Sequence, residues 1–383
     1  MLANVHAMTL INFLSRVHFA DGVLEEALHS ELEANGKQRP LIVSADERMS
    51  NLQAERFFSG FPRSSDPVVF TNVPPAPTES VVRDIADLYR GNDCDVLVAF
   101  GASHVIDLAK AARVAIAYDD PLHAMSASEG GSRRINGGLP SLYAVPSMLG
   151  FPAAANDQVR VTLEDGTQTL IWSRNLIPCI AICDPTLTLQ SSTEEAAVAA
   201  ASILSGAVDA FLSPRYHPPS DGLALDALRR LRINIEAALT PDNLPARREL
   251  MAAGLNNALS HQKGLRVIDA LTNAVCQASD SKPQPGAVGG VVIAHLVKLY
   301  EDQDDFYCDP VKHILCIDGD EPLTKGLRDI LSNWPVPDTL RELGVDRNAL
   351  SSAADSAVKD FAMTSGPRNY PSEEIRKMLT LAH

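Results

Sequence analysis

Two stretches of this 383-residue chain carry residue types and spacing suited to chemistry. The apolar run VLVAF delivers Gly101, Ala102 and Ser103 where a helix begins. Small residues there let backbone N–H groups and the helix N-terminus approach a pyrophosphate. His104 follows, and Asp107 and Lys110 lie one turn further on, as part of that site or as a solvated i,i+3 pair. The second stretch is VIDAL, where Asp269 falls on the apolar face of a helix. A carboxylate in such company needs a partner; it is either a general acid or base or one half of an ion pair. His261 precedes it by two helical turns, so both residues face one cleft or His261 is a helix-surface histidine. Ten histidines and six cysteines are enough in number for a metal site, but their spacing argues against one. No two histidines stand four apart on one helix, no HExxH appears, and no two cysteines form CxxC. Cys179 and Cys183, inside IPCIAIC, read as small buried thiols. No GxSxG elbow, Walker or kinase motif is present.

Elements must position these residues, and the sequence predicts them in two blocks. Apolar runs at 39–47, 66–73, 94–103, 139–147, 158–165 and 177–185 read as strands. Between them lie the helices ESVVRDIADLYRG and HVIDLAKAARVAIAY. Helices alternating with fully apolar strands predict a parallel sheet covered on both faces. Beyond residue 186 the pattern turns helical. SSTEEAAVAAASILSGAVDAFLS opens with a capping box, Ser192 through Glu195. DGLALDALRRLRINIEAAL and the long run LPARRELMAAGLNNALSHQKGLRVIDALTNAVCQA follow with helical periodicity, and only KHILCID (312–318) is ambiguous. The sequence therefore divides into an α/β domain (1–186) and an all-helical domain (187–383). Residues 129–138 and 214–221 read as loops.

Composition narrows the class. With 33 Lys+Arg against 48 Asp+Glu, the net charge is −15, and no basic block offers a nucleic-acid or anionic-membrane surface. A chain this long buries a core without disulfide staples, and its cysteine usage fits a reducing cytoplasm. The N-terminus has no basic segment or cleavage site of a signal peptide, and no uninterrupted apolar run reaches the roughly 18 residues of a membrane span. A cytosolic protein acting on a small molecule is the expectation.

The order of these pieces resembles the iron-containing, group III alcohol dehydrogenase family, whose fold also includes dehydroquinate synthase and the metal-independent maleylacetate reductases. The family's signature GGGSxxDxxK reads here Gly101, Ala102, Ser103, His104, then Asp107 and Lys110. Upstream, VPPAPTESVVRDIADLYRGNDCDVLVAFG keeps the family's proline turn, helix and strand in order. PSMLGFPAA (146–154) stands where the family has PTTAGTGSE, so Ser147 and Met148 replace its paired threonines. IPCIAICDPTLTL matches the junction between domains, and SGPRNYPSEEIRKML the maleylacetate reductase ending. The resemblance spans nearly the whole chain, and it implies that the first domain (1–186) is a Rossmann-like domain of dinucleotide-binding type, with the active cleft between it and the all-helical domain (187–383).

That resemblance implies a nicotinamide dinucleotide, NAD or NADP, held by Asp46, Gly101, Ala102, Ser103, His104, Asp107, Ser147 and Met148, with Asp46 at the adenosine ribose. It also implies a homodimer. The family's nucleotide-contacting lysine has no counterpart in DGTQTLIW. The metal positions are lost. Ser202 and Gly206 stand where the family places an Asp and a His, Asp269 and Asn273 where it places a ligand His and a relay His, and Gln284-Pro285-Gly286 where it has Pro-His-Gly. One carboxylate does not hold a catalytic ion unaided, so no Fe or Zn is expected. The leading expectation is a metal-independent reductase of a small carbonyl or oxo-acid, like the maleylacetate reductases, in which Asp269, Asn273, Ser202 and His261 serve the reacting oxygen. A repurposed lyase, dehydratase or cyclase in the same cleft, and a catalytically inactive binding subunit, stay open as alternatives.

Overall fold

Alternation along apolar strands sets the architecture of the first half. The computed structural model describes residues 15–45, 51–303 and 306–383 of the chain. The elements run β1 (Arg16–Phe19), α1 (Leu24–Ala34), β2 (Pro40–Ser44), α2 (Asn51–Ser59), β3 (Val68–Phe70), α3 (Glu79–Gly91), β4 (Val96–Gly101) and α4 (Ser103–Ala117). The short α5 (Gly131–Arg134) precedes β5 (Leu142–Pro146), β6 (Gln158–Thr162), β7 (Gln168–Trp172) and β8 (Ile180–Cys183). Six strands form one sheet in the order β1-β8-β5-β4-β2-β3, with every pairing parallel.

Successive residues of a strand face opposite sides, and both sides of this sheet are dry. Val96, Val98 and Phe100 of β4, with Ile42, Tyr143, Val145 and Ile182, meet Leu24, Leu28 and Leu32 of α1 and Phe57 of α2. Leu97 and Ala99, with Leu41, Val43, Leu142 and Ala144, belong to the opposite core with Val82 and Ile85 of α3 and Ile106 and Ala109 of α4. Each Val, Leu, Ile or Phe among them contributes about 1.5–3 kcal/mol by leaving water, which is why the strands read as unbroken apolar runs.

β8 ends on Asp184, a fully buried carboxylate that accepts from Gly22 N at 2.8 Å, Thr186 N at 3.0 Å and Arg56 Nη2 at 2.8 Å. This hub ties β1, α2 and the crossing into the helical half. There α6 (Thr193–Leu212), α7 (Pro218–Ala238), α8 (Leu244–Leu259), α9 (Val267–Ala278) and α10 (Pro285–Glu301) come first. α11 (Asp309–Leu315), α12 (Leu323–Leu331), α13 (Ala349–Lys359) and α14 (Ser372–Leu381) complete it. α6 starts with the expected capping box, Ser192 Oγ accepting from Glu195 N and the Glu195 carboxylate from Ser192 N. It is long and apolar enough to cross a membrane, but most of it is buried as the central helix of this half.

Several local readings change. KHILCID lies largely in α11, ending at Cys316 in a left-handed conformation. QVRVTLED supplies β6, which leaves the main sheet and pairs antiparallel with β7. β1 and α2 had no clear signal, being short elements completed by distant partners. The loop at 129–138 contains α5, whose Gly131 lies so close to the Met125 carbonyl that a Cβ would stand 1.9 Å away. The helical run through 244–278 is broken at 260–266, where Gly264 adopts φ 132°. Among the described residues, no strand lies beyond Cys183.

Candidate active site in the interdomain cleft

After β2 the chain turns to one side to form β3; after β4 it turns to the other to form β5. Such a reversal leaves a crevice at the carboxyl ends of the strands, where α/β folds hold ligands. Here a shallow crevice is lined by Ser44 and Ala45 after β2, Phe100, Gly101 and Ala102 at the end of β4, His104 and Val105 of α4, and Ser147 after β5. Gly101 has φ 151°, and a Cβ on it would lie 2.8 Å from Val105 Cγ2, so only glycine fits. No side chain caps α4, and the Ser103 Oγ is buried without a partner. An uncapped helix start behind a glycine, with an unused hydroxyl, suits an anionic group such as a pyrophosphate.

Met148, half-buried, follows Ser147 away from this crevice. The next residues are packing groups: Leu149, Phe151, Ala153 and Ala154 are core. The Phe151 ring lies 3.5 Å from the Cβ position of Gly254 in α8, while a Cβ on Gly150 would come within 3.0 Å of Ala199 in α6. The family's polar loop has become an apolar plug between the halves. Asp46 lies outside the described residues.

Two turns into α4, Lys110 is completely buried, which excludes a solvated pair with Asp107. Its Nζ lies 3.4 Å from Asp107 Oδ1 and 3.4 Å from the Gln158 carbonyl, and donates to Asn156 Oδ1. Burial lowers the Lys110 ammonium to about 8 and raises the Asp107 carboxyl, an effect Lys110 opposes. This lysine fixes the start of β6, and so places Gln158.

Gln158 reaches across the cleft. Its Nε2 donates to Asp269 Oδ2 at 2.8 Å, joining the α/β half to the first turn of α9. Asp269 is 27% exposed, so it opens onto the cleft and is not a buried carboxylate on an apolar face. His261 does lie beside it, Nδ1 4.0 Å from Asp269 Oδ2. The spacing of eight residues is not the reason. His261 belongs to a 3₁₀ turn, Ser260–Lys263, and the bend at Gly264 swings it back onto α9. At 4.0 Å the two atoms are beyond hydrogen-bonding distance. Burial, then the charges of Arg266 and Lys110, hold the imidazole well below its ordinary range, so it is neutral and this is no ion pair.

Four buried polar atoms of this region lack a partner: Asp157 Oδ1, Gln158 Oε1, His261 Nδ1 and Arg266 Nε. Buried polar atoms are rarely left so. Sequence reasoning missed Asp157, Gln158 and Arg266. The signal for the first two was an Asn-Asp-Gln run between apolar segments; Arg266 has no local signal.

Of the remaining candidates, Ser202 packs on α10, its Cβ 3.0 Å from where a Cβ on Gly286 would stand. Asn273 is half-buried and takes part in none of these hydrogen bonds. Asp209 accepts from Ile268 N at 2.9 Å and Tyr300 Oη at 2.8 Å, capping α9 as a structural group. At Gly206 a Cβ would lie 2.6 Å from Arg266 Nη1 and 2.8 Å from Asn257 Oδ1. The iron ligand set of the family does not fit these residues. Its positions hold a hydroxyl, a glycine facing a guanidinium, one carboxylate and a Gln-Pro-Gly turn. Among the described residues no three His, Cys, Asp or Glu side chains are grouped to hold an ion.

A doubly wound parallel sheet, an uncapped helix at its switch point and a helical second half define a dehydroquinate synthase-like α/β–α protein. The model of the family described as iron-containing alcohol dehydrogenase matches residues 15–185. The 4-hydroxybutyrate dehydrogenase of Cupriavidus necator is 29% identical over 97% of this chain and 99% of its own length. The sulfoacetaldehyde reductase from Bifidobacterium kashiwanohense, solved in complex with NAD+, superposes with TM-score 0.83 at 19% identity over 98% of both chains. The maleylacetate reductase from Agrobacterium tumefaciens superposes with TM-score 0.77 at 18% identity over 97% of both. The match over residues 15–185 and the likeness along the whole chain support a place in the iron-containing alcohol dehydrogenase superfamily, a group of oxidoreductases.

Proposed function

We propose that this protein is a metal-independent, nicotinamide-dinucleotide-linked oxidoreductase that interconverts a small hydroxy acid and the matching aldehyde or oxo-acid. The observation that carries this reading is the pairing of Asp269 Oδ2 with a neutral His261 Nδ1 at 4.0 Å, in a cleft held by Gln158. A hydroxyl between them donates to Asp269 and accepts from the His261 N–H, filling that partner's vacancy. Bound in the crevice, a nicotinamide dinucleotide supplies the hydride acceptor or donor. In the oxidative direction Asp269 takes the hydroxyl proton as the carbon loses hydride, and its exposure to the cleft lets the proton leave to water. The His261 N–H steadies the oxygen as negative charge develops, the role a neutral imidazole serves best. Lys110 and Gln158 position the carboxylate. Gly101, Ala102 and Ser103 take the pyrophosphate, with His104, Asp107 and Ser147 around it.

The anionic substrate class is supported by the relatives named for 4-hydroxybutyrate, sulfoacetaldehyde and maleylacetate, all small anions. Asp46 follows directly on Ala45 after β2, and an acid there favours NAD over NADP.

The test is a fluorescence titration with NADH and NADPH, followed by turnover of 4-hydroxybutyrate with NAD+. NADH binds and is preferred; absence of binding at millimolar dinucleotide rejects the proposal. Asp269→Ala lowers kcat about 100-fold or more while NADH affinity holds. An unchanged rate in a folded Asp269→Ala protein removes Asp269 from the chemistry.

A further inference from the structure

The disagreement between this cleft and the metal site of its family has a physical counterpart. Arg266 is 4% exposed. Its guanidinium donates to Asn257 Oδ1 at 2.9 Å, the Asn257 carbonyl at 2.6 Å and Ser260 Oγ at 2.6 Å. All three acceptors are neutral, and Nε has no partner. Among the described residues no carboxylate forms an ion pair with this cation. Asp269, Asp209 and Asp157 act on it only through their fields. A buried charge without a counter-charge is costly, and such a group in a cleft is a candidate for function.

Its location decides what that function is. The guanidinium fills the space in front of Gly206, where the Cβ of any other residue would lie 2.6 Å from Nη1. By resemblance, that is the position from which the family extends a histidine to its metal. We infer that Arg266 replaces the metal site itself: a fixed guanidinium lodged against Gly206 supplies the positive charge that stabilises the substrate oxygen. The assignment rests on the oxidoreductase reading, and it makes Gly206 a requirement, since a side chain there would evict the cation. Arg266 acts through its field and through its hold on the turn carrying His261, so it is a positioning residue.

The experiment has two arms. In the first, Arg266→Gln, Arg266→Lys and Arg266→Ala are assayed for NAD+-linked oxidation of 4-hydroxybutyrate, with NADH binding and circular dichroism alongside. Arg266→Gln loses about 100-fold in kcat with NADH affinity unchanged, Arg266→Lys keeps more activity than Gln, and millimolar guanidinium chloride partly restores Arg266→Ala. Equal activity of folded Gln and wild-type proteins overturns the inference, as does equal loss in Lys and Gln. If Ala does not fold, the Lys and Gln comparison decides. In the second arm, wild-type protein and the Ser202→Asp/Gly206→His double variant are equilibrated with Zn2+ or Fe2+, freed of excess and analysed for metal. The wild type takes up none and the double variant gains affinity; a stoichiometric ion in the wild-type cleft overturns the inference. If the wild type shows no dinucleotide-linked turnover, the oxidoreductase reading fails, and this second arm alone decides whether the guanidinium has displaced the metal.

Discussion

At the scale of single residues, the cleft is governed by what burial does to charge. Lys110, His261 and Arg266 are buried cations or would-be cations, and desolvation pulls all three toward neutrality. Asp157 shows the converse. Its Oδ2 accepts from Trp172 Nε1 at 2.9 Å, yet burial dominates and pushes the carboxyl up to about 6. The folded protein then holds a proton between about pH 4 and 6 that the unfolded chain releases. Stability from this group therefore rises on acidification from pH 7 to 4 and is lost as pH rises through 6. Asp157→Asn removes that term. In chemical denaturation, the variant gains on wild type by about 2–3 kcal/mol between pH 4 and pH 8; parallel pH profiles would show the carboxyl is not perturbed. Asp269 was recognisable in the sequence because a carboxylate interrupts the apolar VIDAL. Arg266 was not, because nothing about Leu-Arg-Val announces that the side chain turns inward.

At the scale of elements, each piece of the crevice is a terminus. β4 stops at Gly101 because the chain must take φ 151° and pass Val105 closely; α4 then starts uncapped. Gly101→Ala strains the backbone and drives a Cβ into Val105. It costs about 1–3 kcal/mol in urea unfolding and weakens NADH at least about tenfold; normal NADH affinity in that variant would exclude the crevice as the pyrophosphate site. These ends were legible beforehand. VLVAF followed by small residues marks a strand feeding a helix, and Ser192 with Glu195 marks the start of α6, since both signals are local. The helical periodicity through 244–278 is not carried by one continuous helix, because one glycine, Gly264, outweighs it once the chain has reason to turn. That reason is the docking of the first turn of α9 on Asp209 of α6, which lies far away in sequence.

At the scale of the whole molecule, side chains of the two halves meet beside the candidate site. Gln158 spans them to Asp269, Arg160 to Asp360 and Phe151 to α8. A ligand that joins both halves binds the folded state alone, so NADH at about a hundred times its dissociation constant adds about 2.7 kcal/mol to stability. Thermal unfolding rises by a few degrees with NADH but not with nicotinamide alone; no rise would argue against a dinucleotide in this cleft. The sequence by itself determined the parallel sheet, the helical second half, the glycine crevice and the absence of the family's ligands from their places. Those follow from periodicity, turn chemistry and residue identity, which act over a few residues. Only the tertiary structure decided that Lys110 is buried, that His261 returns to Asp269 around Gly264, and that Arg266 lies in the space left by Gly206. Sixty positions separate those last two residues. Their contact depends on how α6 and the turn before α9 dock, and no local pattern encodes the position of a guanidinium against a distant glycine.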